Sequence, residues 1–350
     1  MGVSKFLISR ALNMVLVLFA TIFITIAIVG PTMDTILKRS IEIEVKASIL
    51  QSKEVMIAFK DPKDLENYIQ LQVRNAIESL GLNEPWYSPR RLWTVIWKLI
   101  TLDLGQSYYL RSYSGSGNVR EIILEALPRT ILLFTTATIL NSIIGILLGV
   151  IIARKSGSII DKFASTFAVV SNSFPLWWVG MIMIIIFAYT FKLFPARATP
   201  LIPPSDPNYP LALIHHMILP LITLILIGFG GWTYVVRNIM IGVLQEDYIT
   251  VAVAKGTPER KILYGHALRS AAPPIITMIA LSSSGSLGGA IITEAVFDWP
   301  GIGRLYWNAV SVLDIPVIIG LTYITTIVFL ISVFIADILY SVFDPRVKVG

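Results

Sequence analysis

Long apolar runs separated by short polar breaks dominate this chain, and six of them approach the roughly 20 residues that a helix rising about 1.5 Å per residue needs to cross a hydrocarbon core about 30 Å thick. They predict membrane-spanning helices over 8–29, 128–153, 163–190, 211–236, 274–293 and 316–340. The first contains the 19-residue run Ala11–Val29, preceded by Lys5 and Arg10. No small-x-small cleavage pattern follows it, so it predicts an uncleaved span rather than a signal peptide. No internal repeat is visible, which weighs against a carrier built from inverted repeats.

The stretch 31–126 is polar yet helical in pattern. Asp61-Pro62 opens a segment that closes at Gly81, as a capping aspartate, a first-turn proline and a terminal glycine would. Ser88-Pro89 opens a second, in which Trp93, Trp97 and Leu92 share a face apart from Arg90, Arg91 and Lys98. Such a face suits either a helix at the lipid headgroups or the buried side of a small helical unit. The connector 191–210 carries Pro195, Pro200, Pro203, Pro204, Pro207 and Pro210, which excludes regular helix.

Composition narrows the class. Of 350 residues 55% are hydrophobic and only 14% charged, and the mean hydropathy is +0.74. Soluble domains carry about 25% charged residues, so the composition argues against a soluble enzyme or a nucleic-acid binder. The net charge of +6 is unevenly spread: 31–126 holds 12 basic and 12 acidic residues, which leaves the whole excess in short loops and ends. Assigning alternate loops to alternate sides gathers Lys5, Arg10, Arg154, Lys155, Lys162, Arg237, Lys255, Arg260, Lys261, Arg269, Arg346 and Lys348 on one side, against Lys192, Arg197 and Arg304 on the other. The positive side is the cytoplasm, so both termini are predicted inside and 31–126 outside. With no cysteine there is no disulfide, thiol nucleophile or thiolate metal site.

Between spans four and five, residues 246–274 are too polar to be membrane-buried. They predict two short helices. Asp247 caps the first, Gly256 ends it in the left-handed conformation, and Thr257 caps a second whose first turn holds Pro258 and Glu259. Small side chains at Ala252 and Ala254 allow another surface to come close. Taken alone, this pattern also fits an ordinary amphipathic elbow.

A run within it is more specific: Asp247-Tyr248, Ala252, Ala254-Lys255-Gly256, Ile262, His266-Ala267-Leu268-Arg269, Ala271 and Pro274. It resembles the EAA loop of permease subunits in binding-protein-dependent ABC importers. The chain is similar above all to the dipeptide/oligopeptide permease family, first membrane subunit. Leu80-Gly81-Leu82, Asp103-Leu104-Gly105-Gln106-Ser107, Leu127-Pro128-Arg129-Thr130, Ser173-Phe174-Pro175-Leu176-Trp177 and Leu219-Pro220 agree with it. So do the run Glu294–Leu305, which reads EAVFDWPGIGRL, and Asp337-Ile338-Leu339-Tyr340 with Asp344-Pro345-Arg346. Departures are Val253 where the family usually has arginine, Ser270 where it has asparagine, Gly30-Pro31 in place of a longer proline-glycine motif, and a longer segment before residue 80.

The resemblance implies an all-α polytopic membrane protein with six transmembrane helices, type I ABC importer-like, with a helical extracytoplasmic insertion after helix 1. Its parts would be 1–30, the insertion 31–126, and a five-helix core 127–350 carrying a cytoplasmic coupling loop at 246–272. It implies a second permease subunit in a heterodimer, two ATPase subunits and an extracytoplasmic solute-binding protein, in a plasma membrane whose lipid surrounds the helices. ATP and Mg would be bound on the ATPase chains, with no cofactor, metal or catalytic residue on this one. The chain has no Walker lysine loop, and Gly301-Ile302-Gly303-Arg304 lacks the spacing of a phosphate cradle.

By the same resemblance Asp247, Tyr248, Ala252, Ala254, Lys255, Gly256, Glu259 and Arg260 would couple to the ATPases. Polarity inside spans makes Asn172, Ser173, Trp177, Ser282, Ser283, Ser286, Gly289 and Glu294 candidates for the translocation pathway. Gly285 and Gly289, four apart, fit a close helix contact equally well. Asn172, Ser173 and Pro175 are placed to kink span three. Residues 298–305 read as an outer turn with Trp299 at the interface, and Asp298, Trp299 and Arg304 as candidate contacts for the binding protein. Short peptides are the family's prevailing cargo; oligosaccharides and nickel complexes are the alternatives within it. A proton-coupled carrier is a remoter alternative. An intramembrane hydrolase finds no support, because His215, His216 and His266 form no His-Glu-x-x-His pattern.

Overall fold

The computed structural model describes residues 3–343, apart from 53, 54, 56, 58, 60, 287 and 288. Among the described residues the elements are helical, with one isolated antiparallel bridge, Gln106 to Asn118. The Asp344-Pro345-Arg346 ending lies outside them.

Helix α1 spans Val3–Gln51. Its 49 residues extend about 74 Å at the helical rise, more than twice the hydrocarbon thickness, and its apolar part is Ile8–Thr32. The span expected to stop near residue 29 therefore continues unbroken through Gly30-Pro31. Tertiary contacts explain why: the Trp86 ring lies where a β-carbon on Gly30 would sit, and Asp34 is held by Arg91 at 2.5 and 2.9 Å.

α2 covers Pro62–Ser79, with the Asp61 carboxylate accepting from the Lys63 amide, and Gly81 is left-handed at φ +67°. α3 covers Pro89–Ile100, with the Ser88 hydroxyl accepting from the Arg91 amide. Leu92, Val95 and Leu99 turn inward against Ile22 and Ile26 of α1. Trp93 and Trp97 point away, 64% and 56% exposed, with ring centroids 6.4 Å apart. Leu92 thus does not share the tryptophan face, and the tryptophans are not a buried side of this chain.

α4 is Val119–Arg154, capped by Asn118 and starting before the expected residue 128, with Pro128 inside it. α5 is Ile159–Ser173; it breaks at Phe174-Pro175 into α6, Leu176–Met183, which runs on as a π-helical turn Ile184–Thr190. The two arms meet at 95°, so the single span expected over 163–190 is a bent pair. Pro175 has no amide to continue α5 and pushes the residue before it out of the helical region. α7 is Tyr209–Leu244, α8 Asp247–Ala254, and a π-helical turn Lys261–Ala267 leads directly into α9, Leu268–Ser286. α10 (Ile291–Phe297), α11 (Ile302–Ser311) and α12 (Ile315–Phe343) complete the order. Four of these helices are long and apolar enough to cross a membrane, and the bent pair makes a fifth candidate.

α4 and α7 form the central pair through small residues. A β-carbon on Gly145 would collide with Cβ of Trp232, and one on Gly149 would lie 2.7 Å from Cβ of Val236. Four-residue glycine spacing lets helix backbones meet closely in lipid. Among the described residues nothing lies within 4 Å of the β-position of Gly285, so it makes no such contact with them. Gly149→Leu is expected to destabilise the folded chain by about 1–3 kcal/mol or more through overpacking. Gly285→Leu should leave the isolated chain's stability nearly unchanged, a contrast readable by thermal unfolding in detergent.

Candidate functional site

Two polar assemblies sit at opposite ends of the helical bundle. One is the elbow. Glu246, extended, precedes α8, so Asp247 is its first residue rather than its cap, and its carboxylate there favours the positive helix end. Ile249 is buried among Val236, Met240, Ile262 and Leu263, which ties α8 to the bundle. The helix ends as a Schellman turn: the Thr257 amide donates to the Ala252 carbonyl (3.1 Å), the Gly256 amide to the Val253 carbonyl (2.9 Å), and Gly256 has φ +70°. Asp247, Tyr248, Ala254, Lys255, Gly256 and Arg260 are exposed, whereas Ala252 is half-buried and packs inward. Glu259 is paired with Arg154 at the end of α4. Val251 and Val253, not among the expected coupling residues, are exposed beside Tyr248. The available signal was the near-continuous apolar run Val251–Ala254 in a short helix that can bury only one face.

The elbow's base is braced by a second pair. Arg237 of α7 grips Asp161 of α5 through two bonds of 2.5 and 2.6 Å, and the Gly157 amide donates to the same carboxylate. Nearer the chain ends, Arg10 pairs with Asp337 at 2.6 Å and joins the first helix to the last.

The far end is built around Glu294. Its side chain is 1% exposed and accepts from the Thr130 hydroxyl (3.0 Å), the Gly303 amide (2.9 Å) and the Arg304 amide (3.3 Å). Thr130 in turn accepts from the Ile302 amide at 2.7 Å. Gly289 and Gly301 close over the carboxylate: a β-carbon on either would collide with it and with Thr130. The next turn reverses the chain at Asp298, left-handed at φ +56°, whose carboxylate is held by Arg197 and Arg304 at 2.7 Å each. An aspartate tolerates this conformation better than most residues, and the two guanidiniums fix it. Trp299, expected at the membrane interface, is instead fully buried, with its indole N–H donating to the Arg129 carbonyl at 3.1 Å. The proline-rich connector is pinned to this turn by the Ala198 amide donating to the Phe297 carbonyl at 2.7 Å.

Beside it Asp314, fully buried, accepts from the Ser107 hydroxyl (2.5 Å) and from the amides of Tyr108, Tyr109 and Leu110. This ties the Asp103–Ser107 motif to the start of α12. Burial, then the nearby Asp314 and Tyr109, push the Tyr108 phenol up to about 12, so it stays a neutral hydroxyl at any physiological pH.

The structure disperses the pathway candidates. Glu294 and Gly289 belong to the enclosed far-end knot. Asn172 and Ser173 bond back to the carbonyls of Ala168 and Val169, at the α5–α6 break beside half-exposed Trp177. Ser282 and Ser283 lie half-buried on α9, and the side chain of Ser286 lies outside the described residues.

Residues 145–349 match the family described as binding-protein-dependent transport system inner membrane component. The oligopeptide transport system permease protein AppB of Bacillus subtilis is 33% identical over 84% of this chain and 89% of its own length. The dipeptide transport system permease protein DppB of Alkalihalophilus pseudofirmus is 36% identical over 77% of this chain and 84% of its own. The di/tripeptide transport system permease protein DppB of Pseudomonas aeruginosa is 32% identical over 78% and 84%. With several apolar helices long enough to span a bilayer, the chain is a multi-pass membrane transport component, and it belongs to the binding-protein-dependent permease family, among the dipeptide and oligopeptide permeases.

Proposed function

We propose that this chain is one of two membrane subunits of an ATP-driven importer of short peptides. It would cross the membrane six times, through α1, α4, the bent α5–α6 pair, α7, α9–α10 and α12, with the elbow and both ends cytoplasmic. A second, related permease completes the passage, two ATPase subunits dock on the elbows, and a binding protein delivers cargo to the outer face. The peptide cargo is carried over from the names of the relatives.

The observation that carries this reading is the elbow itself, a small helix with exposed Tyr248, Val251 and Val253 whose opposite face is locked into the bundle. Force on α8 has two routes inward. Ile249 shares a cluster with Val150 of α4 and Val236 and Met240 of α7, and the second arm is the same continuous helix as α9. ATP-driven closure of the ATPases would therefore move three membrane helices together.

Tagged chain extracted gently from its own cells should bring down a second permease and ATPases, identified by mass spectrometry. Recovery of the chain without any ATPase contradicts the proposal. The Arg154–Glu259 brace gives a finer check. Its two side chains are about half exposed, 49% and 54%, so removing it should cost under about 1 kcal/mol of stability. Either alanine variant is expected to lower binding-protein-stimulated ATP hydrolysis several-fold, and the charge-swapped double variant to restore most of it.

A further inference from the structure

At the outer end, between residues 110–113, the first turns of α4 and the turn leading into α11, lies a cavity of about 190 Å³. Its lining includes apolar Ile122, Ala126 and Leu305 together with Arg111, Arg129, Arg304 and Glu125. Three guanidiniums thus meet one carboxylate.

Two of the three are engaged. Arg304 is bonded to Asp298 and to the Thr199 hydroxyl (2.6 Å), and Arg111 donates to the carbonyls of Ser107 and Leu110 at 2.9 and 3.0 Å. Arg129 differs: among the described residues its side chain bonds no carbonyl and no carboxylate, the ion pairs being those of Arg10, Arg90, Arg91, Arg154, Arg197, Arg237 and Arg304, and its polar neighbour is the Tyr209 phenol. Glu125 stands one turn earlier on the same helix, the order that normally makes a favourable pair. Its carboxylate is instead committed to the Tyr113 amide at 2.9 Å. The Arg129 guanidinium lies over the rings of Tyr113 and Tyr209, its carbon 4.9 and 5.6 Å from their centroids.

The five N–H donors of a guanidinium lie along the edge of its plane, and an aromatic ring attracts the cation without accepting two in-line bonds from that edge. That edge is what binds a carboxylate with two parallel bonds. The volume is below the range of about 300–1,000 Å³ that holds drug-sized ligands, which limits the occupant to about one residue. We infer that this pocket binds a single carboxylate-bearing residue, with Arg129 as the fork that receives it. Resting on the proposed peptide cargo, the first source is the C-terminal residue of a peptide at the outer mouth; the second is an acidic side chain of the docked binding protein.

The test uses the assembled permease–ATPase complex in lipid nanodiscs. Binding of trialanine and of its C-terminal amide is measured by saturation-transfer NMR without the binding protein, and docking of the peptide-loaded binding protein is measured separately. Trialanine should bind at least tenfold more tightly than the amide, and Arg129→Gln should remove that difference. Should the two peptides bind alike while Arg129→Gln weakens docking at least tenfold, the carboxylate belongs to the binding protein. If Arg129→Gln does not assemble, Arg129→Lys carries the test, since a point charge without the fork should still lose most of the preference. Unchanged peptide preference and unchanged docking in the variant overturn the inference. Stimulated ATP hydrolysis by the unmodified complex in the same preparation shows that the transport reading stands independently.

Discussion

Gly256→Val is expected to abolish binding-protein-stimulated ATP hydrolysis and transport while the assembled complex can still be purified. Gly256 sits at φ +70° with nothing but its own chain neighbours within 4 Å of its β-position among the described residues, so the penalty is conformational and not a clash. A β-branched residue is strongly disfavoured in the left-handed region, at a cost of about 1–2 kcal/mol or more, and the chain escapes by re-aiming the second arm of the elbow. That arm runs on as α9, so the error passes into the 19-residue helix that follows it. Gly256→Asn should retain most activity, because asparagine visits this conformation readily. A graded loss from asparagine through alanine to valine, measured as stimulated over basal hydrolysis, supports the backbone argument. Equal activity in all three contradicts it.

Glu294→Ala should produce the largest loss of stability. The substitution strips the acceptor from the Thr130 hydroxyl and from the amides of Gly303 and Arg304, inside a site closed to solvent. Buried donors left unpaired cost about 1–3 kcal/mol each, and about 3–5 kcal/mol in total is reasonable because Thr130 can rotate. Glu294→Gln keeps the volume and one acceptor oxygen and should cost less than half as much. Gly301→Ala reaches the same result from the other side, since its β-carbon would collide with both the Glu294 carboxylate and the Thr130 hydroxyl. Thermal unfolding of the detergent-solubilised complex should rank Glu294→Ala and Gly301→Ala well below Glu294→Gln, with susceptibility to proteolysis at the Asp298 turn rising as stability falls. Unchanged unfolding in Glu294→Ala would mean that the knot does not hold this end together.

What could be read from the chain alone follows from the range of each interaction. Local backbone rules carry both ends of α2, the start of α3, the left-handed Gly256 and the break at Pro175, because Asp61-Pro62, Ser88-Pro89 and the glycine after a helix act within one turn. Periodicity could not give the 95° angle of that break, which depends on what the second arm packs against. Nor could it carry α1 past Pro31, where Trp86 and Arg91 supply support from residues more than 50 positions away. The enclosure of Glu294 depends on Thr130, 164 residues distant, so polarity in an apolar stretch read as a pathway. Gly145 and Gly149 have the same four-residue spacing as Gly285 and Gly289, and spacing alone does not tell which pair faces a neighbouring helix.

The most direct test of the central claim is ATP hydrolysis and peptide uptake by the complex reconstituted in proteoliposomes, with the binding protein supplied on the outer side. Hydrolysis stimulated by the peptide-loaded binding protein, uptake that requires ATP on the elbow side, and loss of both in Gly256→Val are the expected results. Uptake by this chain alone, driven by a proton gradient and indifferent to ATP, would contradict that claim.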